Sequence, residues 1–286
     1  MISINKLKSY LELARVDKPI GIYLLLWPSM LGLLLAGTIN EIKIIDLLIV
    51  VIGSILVRSC GCVINDISDY KIDKLVSRTV GRPLATGALS IYEAWVFFLF
   101  LGLMSLSLLL FTNPLTIKVG IFFAIFIIVY PLTKRFFKAP QFFLGITFGS
   151  GSLISYSLVT SSPSLSIVIL YIGLIAWIIS FDTYYALEDM EDDRNIGINS
   201  TALLWNDNAI KFARLLHLFF YASILVIAII NSFSYYFFFI FIALFLIFIY
   251  QKKLIDNDKF LEAFKINNWV GMLAVIGFTI EIIILN

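Results

Sequence analysis

Charged residues are scarce in this chain. Asp, Glu, Lys and Arg make up 14% of its 286 residues, whereas about a quarter is typical of a soluble domain, and hydrophobic residues make up 60%. The mean hydropathy of +0.98 excludes an ordinary water-soluble domain. The formal net charge is only +2, so the composition favours neither a nucleic-acid partner nor an acidic one. The composition therefore predicts an integral membrane protein.

Cysteine and histidine are almost absent. Cys60 and Cys62 are too few for a zinc site, and a disulfide between such near neighbours on a helix would be strained, so we interpret both as packing residues. His217, the single histidine, lies in an apolar run and is also interpreted as a packing residue. The sequence contains no P-loop, no Gly-rich dinucleotide loop and no Ser/His/Asp set. Any chemistry must therefore come from other polar residues.

Nine apolar runs are long enough to cross a membrane as helices of roughly 17–20 residues. Residues 1–18 precede them; they are polar and amphipathic and predict a short helix along the membrane surface. No Ser/Gly/Pro-rich linker divides the chain, so the predicted fold is an all-α integral membrane protein with one domain over residues 1–286. The predicted helices lie near residues 20–38, 46–64, 93–111, 115–132, 142–160, 165–183, 212–231, 233–250 and 268–285.

The loops alternate in charge. All but three of the 21 Lys and Arg residues fall in the N-terminal segment or around the loops after the second, fourth, sixth and eighth predicted helices. The exceptions are Lys43 and Lys118, which fall in loops on the other side of the membrane, and Arg58, which lies within the second helix. Because positive charge collects in cytoplasmic loops, this asymmetry predicts nine helices and a cytoplasmic N-terminus.

Polar side chains repeat at helical spacing where the second apolar run ends. If NDISDYKID stays helical, Asn65, Asp69 and Asp73 fall at i, i+4 and i+8, with Asp66 one turn before Asp69. One helix face would then carry a column of oxygen ligands, which we call the first acidic column.

A second acidic column follows in YALEDMEDD. Tyr185, Asp189 and Asp193 have the same spacing, each 120 residues beyond its counterpart. Clustered carboxylates repel unless a cation lies among them, and Mg²⁺ prefers hard oxygen ligands and often completes its shell with phosphate oxygens. The two columns, both on the predicted cytoplasmic side, predict a shared Mg²⁺ site for a phosphorylated or diphosphorylated substrate. The alternative is that these acids are only solvated residues at helix ends.

Two charges lie deeper in the predicted helices. Asp182 is in the sixth helix, before Tyr185 and Asp189, and Arg58 lies on the same stripe of the second helix as Asn65. A lone charge in hydrocarbon is costly. Arg58 therefore either pairs with Asp182 or with backbone carbonyls, or contacts an anion inside a cavity.

Further cations flank the columns. RTVGRPL contains Arg78 and Arg82, and YPLTKR contains Lys134 and Arg135. Guanidinium groups suit diphosphate and carboxylate, so these segments are candidates for binding an anionic substrate, whereas many loop cations only set orientation. Aromatic residues make up 15% of the chain, with 26 Phe, and as a group they are suited to line a channel for a long hydrocarbon or to shelter a carbocation.

These segments resemble the signatures of the UbiA-type intramembrane prenyltransferases. The first signature, N-D-x-x-D-x-x-x-D followed by R-T-x-x-R-P-L, is similar to RSCGCVINDISDYKIDKLVSRTVGRPLATGALS. The second, Y-x-x-x-D-x-x-x-D followed by I-G-I-x-S-T, is similar to DTYYALEDMEDDRNIGINST. RVDKPIGIYLLLWP, which contains Arg15, and YPLTKRFFKAPQFFLGITFG resemble the 4-hydroxybenzoate polyprenyltransferase branch. Met190 and Glu191 stand where this branch often has Arg-Asp, which affects no predicted ligand.

The resemblance implies nine transmembrane helices around a central cavity that opens at the cytoplasmic face of a bacterial inner membrane. The implied cofactor is Mg²⁺, and the implied substrates are polyprenyl diphosphate and 4-hydroxybenzoate, in a step of ubiquinone biosynthesis. The implied metal ligands are Asn65, Asp66, Asp69, Asp73, Asp189 and Asp193. The predicted substrate-binding residues are Arg15, Arg58, Asn65, Arg78, Arg82, Lys134, Arg135 and Tyr185. Of these, the resemblance implies that Arg78 and Arg82 help to close the loop over the diphosphate, and that Lys134 and Arg135 bind the diphosphate or the carboxylate of the acceptor. The predicted catalytic residues are Asp69, Asp73, Asp182, Asp189 and Asp193.

The implied reaction joins the prenyl group to the ring carbon ortho to the phenolic oxygen. Metal and cationic side chains neutralise the departing diphosphate, and an apolar site keeps water from the cation-like prenyl carbon. Asp182 or a column aspartate accepts the phenolic proton or the proton released from the ring. The sequence does not distinguish between these carboxylates. One alternative is another acceptor on the same fold: homogentisate, dihydroxynaphthoate, haem or chlorophyllide. The other is a membrane transporter, whose charges would be spread through the membrane's depth.

Overall fold

The computed structural model describes residues 4–74 and 79–285, without the side chains of residues 131, 132, 134, 135 and 285. These described residues form helices joined by short loops and contain no β-strand. Two of the helical segments, Leu109–Phe111 and Asn206–Asn208, are 3₁₀ turns. In chain order the α-helices are α1 (Ile4–Leu13), α2 (Ile20–Gly37), α3 (Ile44–Asp69), α4 (Pro83–Thr86), α5 (Ile91–Leu108), α6 (Pro114–Phe136), α7 (Pro140–Val159), α8 (Leu165–Glu188), α9 (Met190–Ile196), α10 (Thr201–Trp205), α11 (Ala209–Ile230), α12 (Tyr235–Ile255) and α13 (Phe260–Leu285).

Eight helices in the described part of the chain are long and apolar enough to cross a membrane: α2, α3, α5, α7, α8, α11, α12 and α13. The chain is therefore an all-helical, multi-pass membrane protein, as its composition predicts. The count of nine stays a prediction, because α6 is apolar over Pro114–Tyr130 and several side chains beyond that point are not described. Both α3 and α8 extend beyond the apolar runs that predict them, into the segments that carry the acidic columns.

Local sequence signals begin several of these helices. Ser90 and Glu93 form a capping box at the start of α5, each accepting a hydrogen bond from the other's backbone amide. Asn113 caps α6, and Pro114 follows in the first turn, where its missing amide hydrogen costs nothing. The side chain of Ser164 caps α8 in the same way. Short polar caps between apolar runs therefore explain why the predicted and observed helix starts nearly agree.

Helices α2 and α7 approach each other closely. Gly32 on α2 has no room for a side chain, because a Cβ there would lie 2.1 Å from the carbonyl oxygen of Ser152 on α7. In the same contact the hydroxyl of Ser155 donates to the carbonyl of Ser29 at 2.6 Å. Small residues typically line such contacts between membrane helices. The contact fixes α2 against α7, and both helices border the candidate site.

Aromatic packing holds α8 in the centre of the bundle. The ring of Trp177 on α8 stacks on Phe220 of α11 with centroids 4.8 Å apart, and its indole nitrogen donates to Asn267 of α13 at 2.8 Å. Cys60 and Cys62 are free and buried, so their interpretation as packing residues is confirmed. His217 is fully buried against aromatic rings and is likewise confirmed as a packing residue.

Candidate active site

The first acidic column lies at the end of α3. Its last two turns contain Asn65, Asp66 and Asp69. Asp73 follows in a turn, and the amide of Asp73 donates to the carbonyl of Asp69 at 2.8 Å. The condition that this segment stays helical is therefore met only as far as Asp69, where α3 ends. The i+4 hydrogen bond nevertheless carries the helical spacing through this turn.

Asp66 is bound by two arginines. The residue is 2% exposed; one nitrogen of Arg15 donates to both of its carboxylate oxygens at 2.9 Å, and Arg82 donates to one of them at 3.1 Å. The same nitrogen of Arg82 also donates to the two carboxylate oxygens of Asp73, at 3.0 and 2.9 Å. Arg15, Asp66, Asp73 and Arg82 thus form an arginine–aspartate cluster that joins the N-terminal segment to the first column.

Residues 79–82 are held against this cluster. The hydroxyl of Thr79 donates to the carbonyl of Asp73 at 3.0 Å, and the amide of Arg82 donates to the carbonyl of Thr79 at 3.0 Å. Pro83 begins α4 directly after Arg82, in the first-turn position that suits its fixed backbone angle. The R-T-x-x-R-P-L pattern therefore directs Arg82 back onto the column.

Electrostatics link the cluster to the second column. Burial disfavours the charged form of Arg82, but the carboxylates of Asp66 and Asp73 outweigh burial and raise the pKa of Arg82 above its ordinary value. Tyr185 makes a smaller contribution in the same direction. This contribution of Tyr185 indicates that the two columns lie at the same end of the bundle.

The second column is interrupted by a helix end. Tyr185 is half-buried on α8 and packs edge-on against Phe264 of α13, with ring centroids 5.0 Å apart. Asp189 lies between α8 and α9, and its carbonyl accepts a hydrogen bond from the amide of Asp193 at 2.9 Å. Asp189 and Asp193 are both half-buried. Like the first column, the second keeps its i+4 spacing across a break.

The segment after α9 folds back onto α7 and α8. Gly197 has φ 78°, in the left-handed region that favours glycine, and it ends α9. The hydroxyl of Thr201 lies 2.7 Å from that of Thr183 on α8, and the amide of Thr201 donates to Gln141 of α7 at 2.9 Å. The I-G-I-x-S-T pattern therefore holds the second column in place from its C-terminal side.

Arg58 lies deeper on α3. Its Nε is fully buried and finds no hydrogen-bond partner in the described part of the chain, and its guanidinium lies over the ring of Phe148 at 5.5 Å. Asp182 is half-buried on α8, and among the described residues the structure contains no Arg58–Asp182 ion pair. Of the alternatives left open by the sequence, the ion pair with Asp182 is therefore not observed.

Oxygen donors from both columns lie at this end of the bundle. The side-chain oxygen of Asn65 is buried without a partner in the described part of the chain. Within residues 4–74 and 79–285, no three Asp, Glu, His or Cys side chains lie close enough together to hold a metal ion. One physical reason is that Asp66 and Asp73 face the arginines of the cluster.

Three predicted substrate-binding residues fall outside this description. Arg78, and the side chains of Lys134 and Arg135, lie outside the described residues, so their roles stay predictions.

An apolar cavity of about 210 Å³ lies beyond Arg58, between α2, α3, α5, α6 and α7. On α3 its lining runs from Ile49 to Cys60, about 16 Å of helix. Leu106 and Ile128 line it and are 45% and 53% exposed. The cavity is partly open rather than fully enclosed.

Sequence reasoning missed two residues next to Arg58. A Cβ on Gly21 would lie 2.5 Å from Nε of Arg58, and Phe148 supplies the ring beneath the guanidinium. Gly21 stands in RVDKPIG, where a small residue within a motif was an available signal. Phe148 is one of 26 Phe, and nothing in the sequence distinguishes it.

Comparison with known proteins gives relatives over nearly the whole chain. The 4-hydroxybenzoate octaprenyltransferase of Shewanella loihica is 38% identical over 280 residues, which cover 95% of this chain and 96% of that protein. The apo structure of a UbiA homolog from Aeropyrum pernix K1 has a TM-score of 0.79 at 22% identity, covering 91% of this chain and 97% of the other. A UbiA homolog from Archaeoglobus fulgidus, bound to GPP and Mg²⁺, has a TM-score of 0.73 at 17% identity, covering 96% and 99%.

The family description that matches is "UbiA prenyltransferase family", and the match extends over residues 25–271. Both acidic columns, Arg58 and the apolar cavity fall within the matched residues. The chain therefore belongs to the UbiA prenyltransferase family.

Proposed function

We propose that this protein transfers a polyprenyl group from polyprenyl diphosphate to the ring carbon ortho to the hydroxyl of 4-hydroxybenzoate, with Mg²⁺ as cofactor. The observation that carries the proposal is the similarity, over 95% of the chain, to a relative named 4-hydroxybenzoate octaprenyltransferase. The acidic columns at one end of the bundle and the adjoining apolar cavity support it, because the donor has an anionic head and an apolar tail.

The residues present fit Mg²⁺. Asn65 provides a buried oxygen without a partner in the described part of the chain, and Asp69, Asp189 and Asp193 are half-buried carboxylates at the same end of the bundle. An oxygen-only set with few protein ligands suits Mg²⁺ and leaves positions for diphosphate oxygens. We assign these four residues to the Mg²⁺–diphosphate. Asp66 and Asp73, which the sequence also predicts as ligands, then act through the arginines that they bind.

The chain's own residues serve the remaining chemistry. When bound, the metal supplies positive charge that neutralises the departing diphosphate. As the allylic C–O bond breaks, its electron pair stays on the diphosphate, and Arg82 adds positive charge nearby. The ring carbon of the acceptor forms the new C–C bond, and its proton passes to a carboxylate, either Asp182 or a column aspartate. The apolar cavity holds the first part of the tail away from water.

The proposal includes an orientation in the membrane. We place the protein in a bacterial inner membrane with its N-terminus and both columns on the cytoplasmic side. The Lys and Arg asymmetry of the loops supports this orientation. The contact between Arg15 and Asp66 also supports it, because it brings the N-terminal segment to the end of the bundle that carries the first column.

The test is a reaction of purified protein with polyprenyl diphosphate and 4-hydroxybenzoate, followed by mass spectrometry. We expect prenylated product with Mg²⁺ and none with EDTA. Asp69→Asn and Asp189→Asn should each lower kcat/KM by more than about 100-fold, since each removes a charge that stabilises the departing diphosphate. Asp192→Asn is the matched control, because Asp192 is exposed on α9 beside the second column but outside it.

Each part of the proposal has its own contrary result. Release of diphosphate without prenylated benzoate would show that the acceptor is wrong. An undiminished yield of product in EDTA would show that the reaction does not need Mg²⁺. Equal losses in Asp69→Asn, Asp189→Asn and Asp192→Asn would mean that surface charge, rather than the two columns, governs the rate.

A further inference from the structure

Arg58 is a cation inside a membrane-spanning helix for which the described residues supply no anion. Its Nε is fully buried and without a partner in the described chain, and none of the ion pairs there includes it. An unpaired charge at membrane depth is costly, and such residues typically face a cavity or a ligand and mark function. Arg58 as a whole is half-buried, so its charge is open to an anion from outside the described protein groups.

Three helices fix the position of its guanidinium. A Cβ on Gly21 of α2 would lie 2.5 Å from Nε and 2.6 Å from Nη2, so the guanidinium packs directly against the backbone of α2 and a larger residue there would displace it. The ring of Phe148 on α7 lies under the guanidinium, 5.5 Å from Cζ to the ring centroid. Arg58 itself belongs to α3. The group is thus held in place before any ligand binds, which lowers the entropy cost of binding.

The depth of Arg58 separates it from the acidic columns. Arg58 precedes Asn65 by seven residues of α3, about 10 Å along the helix axis and close to two full turns, so both point to a similar side. Val57 and Cys60, on either side of Arg58 in sequence, line the apolar cavity. Arg58 therefore lies between the site proposed for the diphosphate and the cavity proposed for the tail, at the level where an acceptor must meet the donor.

We infer that Arg58 binds the carboxylate of the aromatic acceptor, and that Gly21 and Phe148 position it. The inference rests on the proposed function and names the residue that selects a benzoate. A guanidinium presents parallel N–H donors that match both oxygens of a carboxylate, and the single negative charge of the acceptor compensates the single positive charge of Arg58. Because hydroxyl and carboxylate are at opposite ends of the ring, this contact directs the hydroxyl toward the acidic columns.

The experiment compares two acceptors, 4-hydroxybenzoate and 4-methylphenol, which lacks the carboxylate. For Arg58→Met we expect the preference for 4-hydroxybenzoate, as a ratio of kcat/KM values, to fall about 10- to 100-fold, the worth of a charged hydrogen-bonded contact. The loss should appear in the KM for 4-hydroxybenzoate, with the KM for the donor unchanged. Arg58→Lys should keep part of the preference, because it retains the charge but not the two-pronged donor.

Two further variants complete the test. Gly21→Ala displaces the guanidinium without removing it and should lower the preference in the same direction. Arg214→Met is the matched control: the Nε of Arg214 is also buried without a partner in the described chain, but its guanidinium binds Asp256, between α11 and α12. We expect its acceptor preference to equal that of the unmodified protein. Binding of 4-hydroxybenzoate by calorimetry, without donor, gives a second readout that does not depend on turnover.

The outcomes separate this inference from the proposed function. If the unmodified protein does not prenylate 4-hydroxybenzoate, the proposed function fails and the inference falls with it. If it does, but Arg58→Met keeps the acceptor preference or raises only the KM for the donor, the inference alone is overturned. If Arg58→Met does not fold, Gly21→Ala and Arg58→Lys decide by the same ratio.

Discussion

Asp66 differs most from what its position in the motif predicts. The sequence presents it as one more oxygen ligand, yet its carboxylate, with a side chain 3% exposed, accepts hydrogen bonds from Arg15 and Arg82. Arg15 reaches it from 51 residues away in the sequence. Spacing along one helix cannot reveal such a partner, because it depends on how the N-terminal segment packs. We therefore predict that the motif contains residues of two kinds, some that face the substrate site and some that hold the segments around it.

Asp66→Asn tests this distinction. Breaking a buried ion pair costs about 3–5 kcal/mol because it leaves a charge without compensation. Since both arginines are partly exposed, we expect the lower end, a fall in melting temperature of about 5–10 °C in detergent. Asp17→Asn is the control, since Asp17 is exposed close to Arg15 in sequence. An unchanged melting temperature, together with a higher Mg²⁺ concentration needed for half-maximal activity, would instead make Asp66 a metal ligand, as its motif position predicts.

Gly53 and Gly102 line the apolar cavity and leave space there, whereas Gly32 allows two helices to approach closely. A Cβ on Gly102 of α5 would meet the sulfur of Cys60 at 3.9 Å, and one on Gly53 of α3 would meet Leu108 at 3.7 Å. Both are ordinary contact distances, so the helices could pack as they do with alanine at either position. Both glycines line the cavity. Their small size therefore keeps space open between α3 and α5.

Gly102→Leu should narrow this space and change which donors are used. If the tail occupies the cavity, each methylene-sized group that no longer fits loses about 0.8 kcal/mol of burial, so long donors lose at least about tenfold in kcat/KM relative to short ones. The measurement is the ratio of kcat/KM values for an octaprenyl and a geranyl donor. Leu103→Phe is the control, because Leu103 adjoins Gly102 but is 68% exposed on the outer face of α5. An unchanged ratio in Gly102→Leu would place the tail elsewhere.

The helices themselves could be predicted because apolar length and polar caps are local properties. The starts of α2, α7 and α8 agree with their predicted starts to within two residues, while α13 begins eight residues earlier, at Phe260, because polar residues such as Asn267 are buried inside the bundle. The ends of α3 and α8 depend on contacts outside each segment and were not predictable. The same applies to the surroundings of Arg58, since Gly21 and Phe148 come from helices distant in sequence. Residue types and their spacing thus indicate where the candidate site lies, whereas the neighbours of each site residue depend on how distant helices pack.

The orientation of the whole bundle is testable with one pair of cysteine variants. In a background with Cys60 and Cys62 replaced by Ser, Lys8→Cys places a thiol on α1 and Glu41→Cys places one in the loop between α2 and α3; both positions are exposed. The Lys and Arg asymmetry predicts α1 on the cytoplasmic side and that loop on the other. In intact spheroplasts, a membrane-impermeant maleimide should label Glu41→Cys and spare Lys8→Cys until the membrane is opened.

The opposite labelling pattern would put both acidic columns on the outer side, because Arg15 and Asp66 fix α1 at the end of the bundle that carries the first column. Labelling of both sites before the membrane is opened would show a mixed orientation. The cytoplasmic pattern is also the one that the proposed chemistry requires. A charged diphosphate donor and a benzoate made inside the cell reach the columns without their anionic groups crossing the hydrocarbon, where a charge costs several kcal/mol.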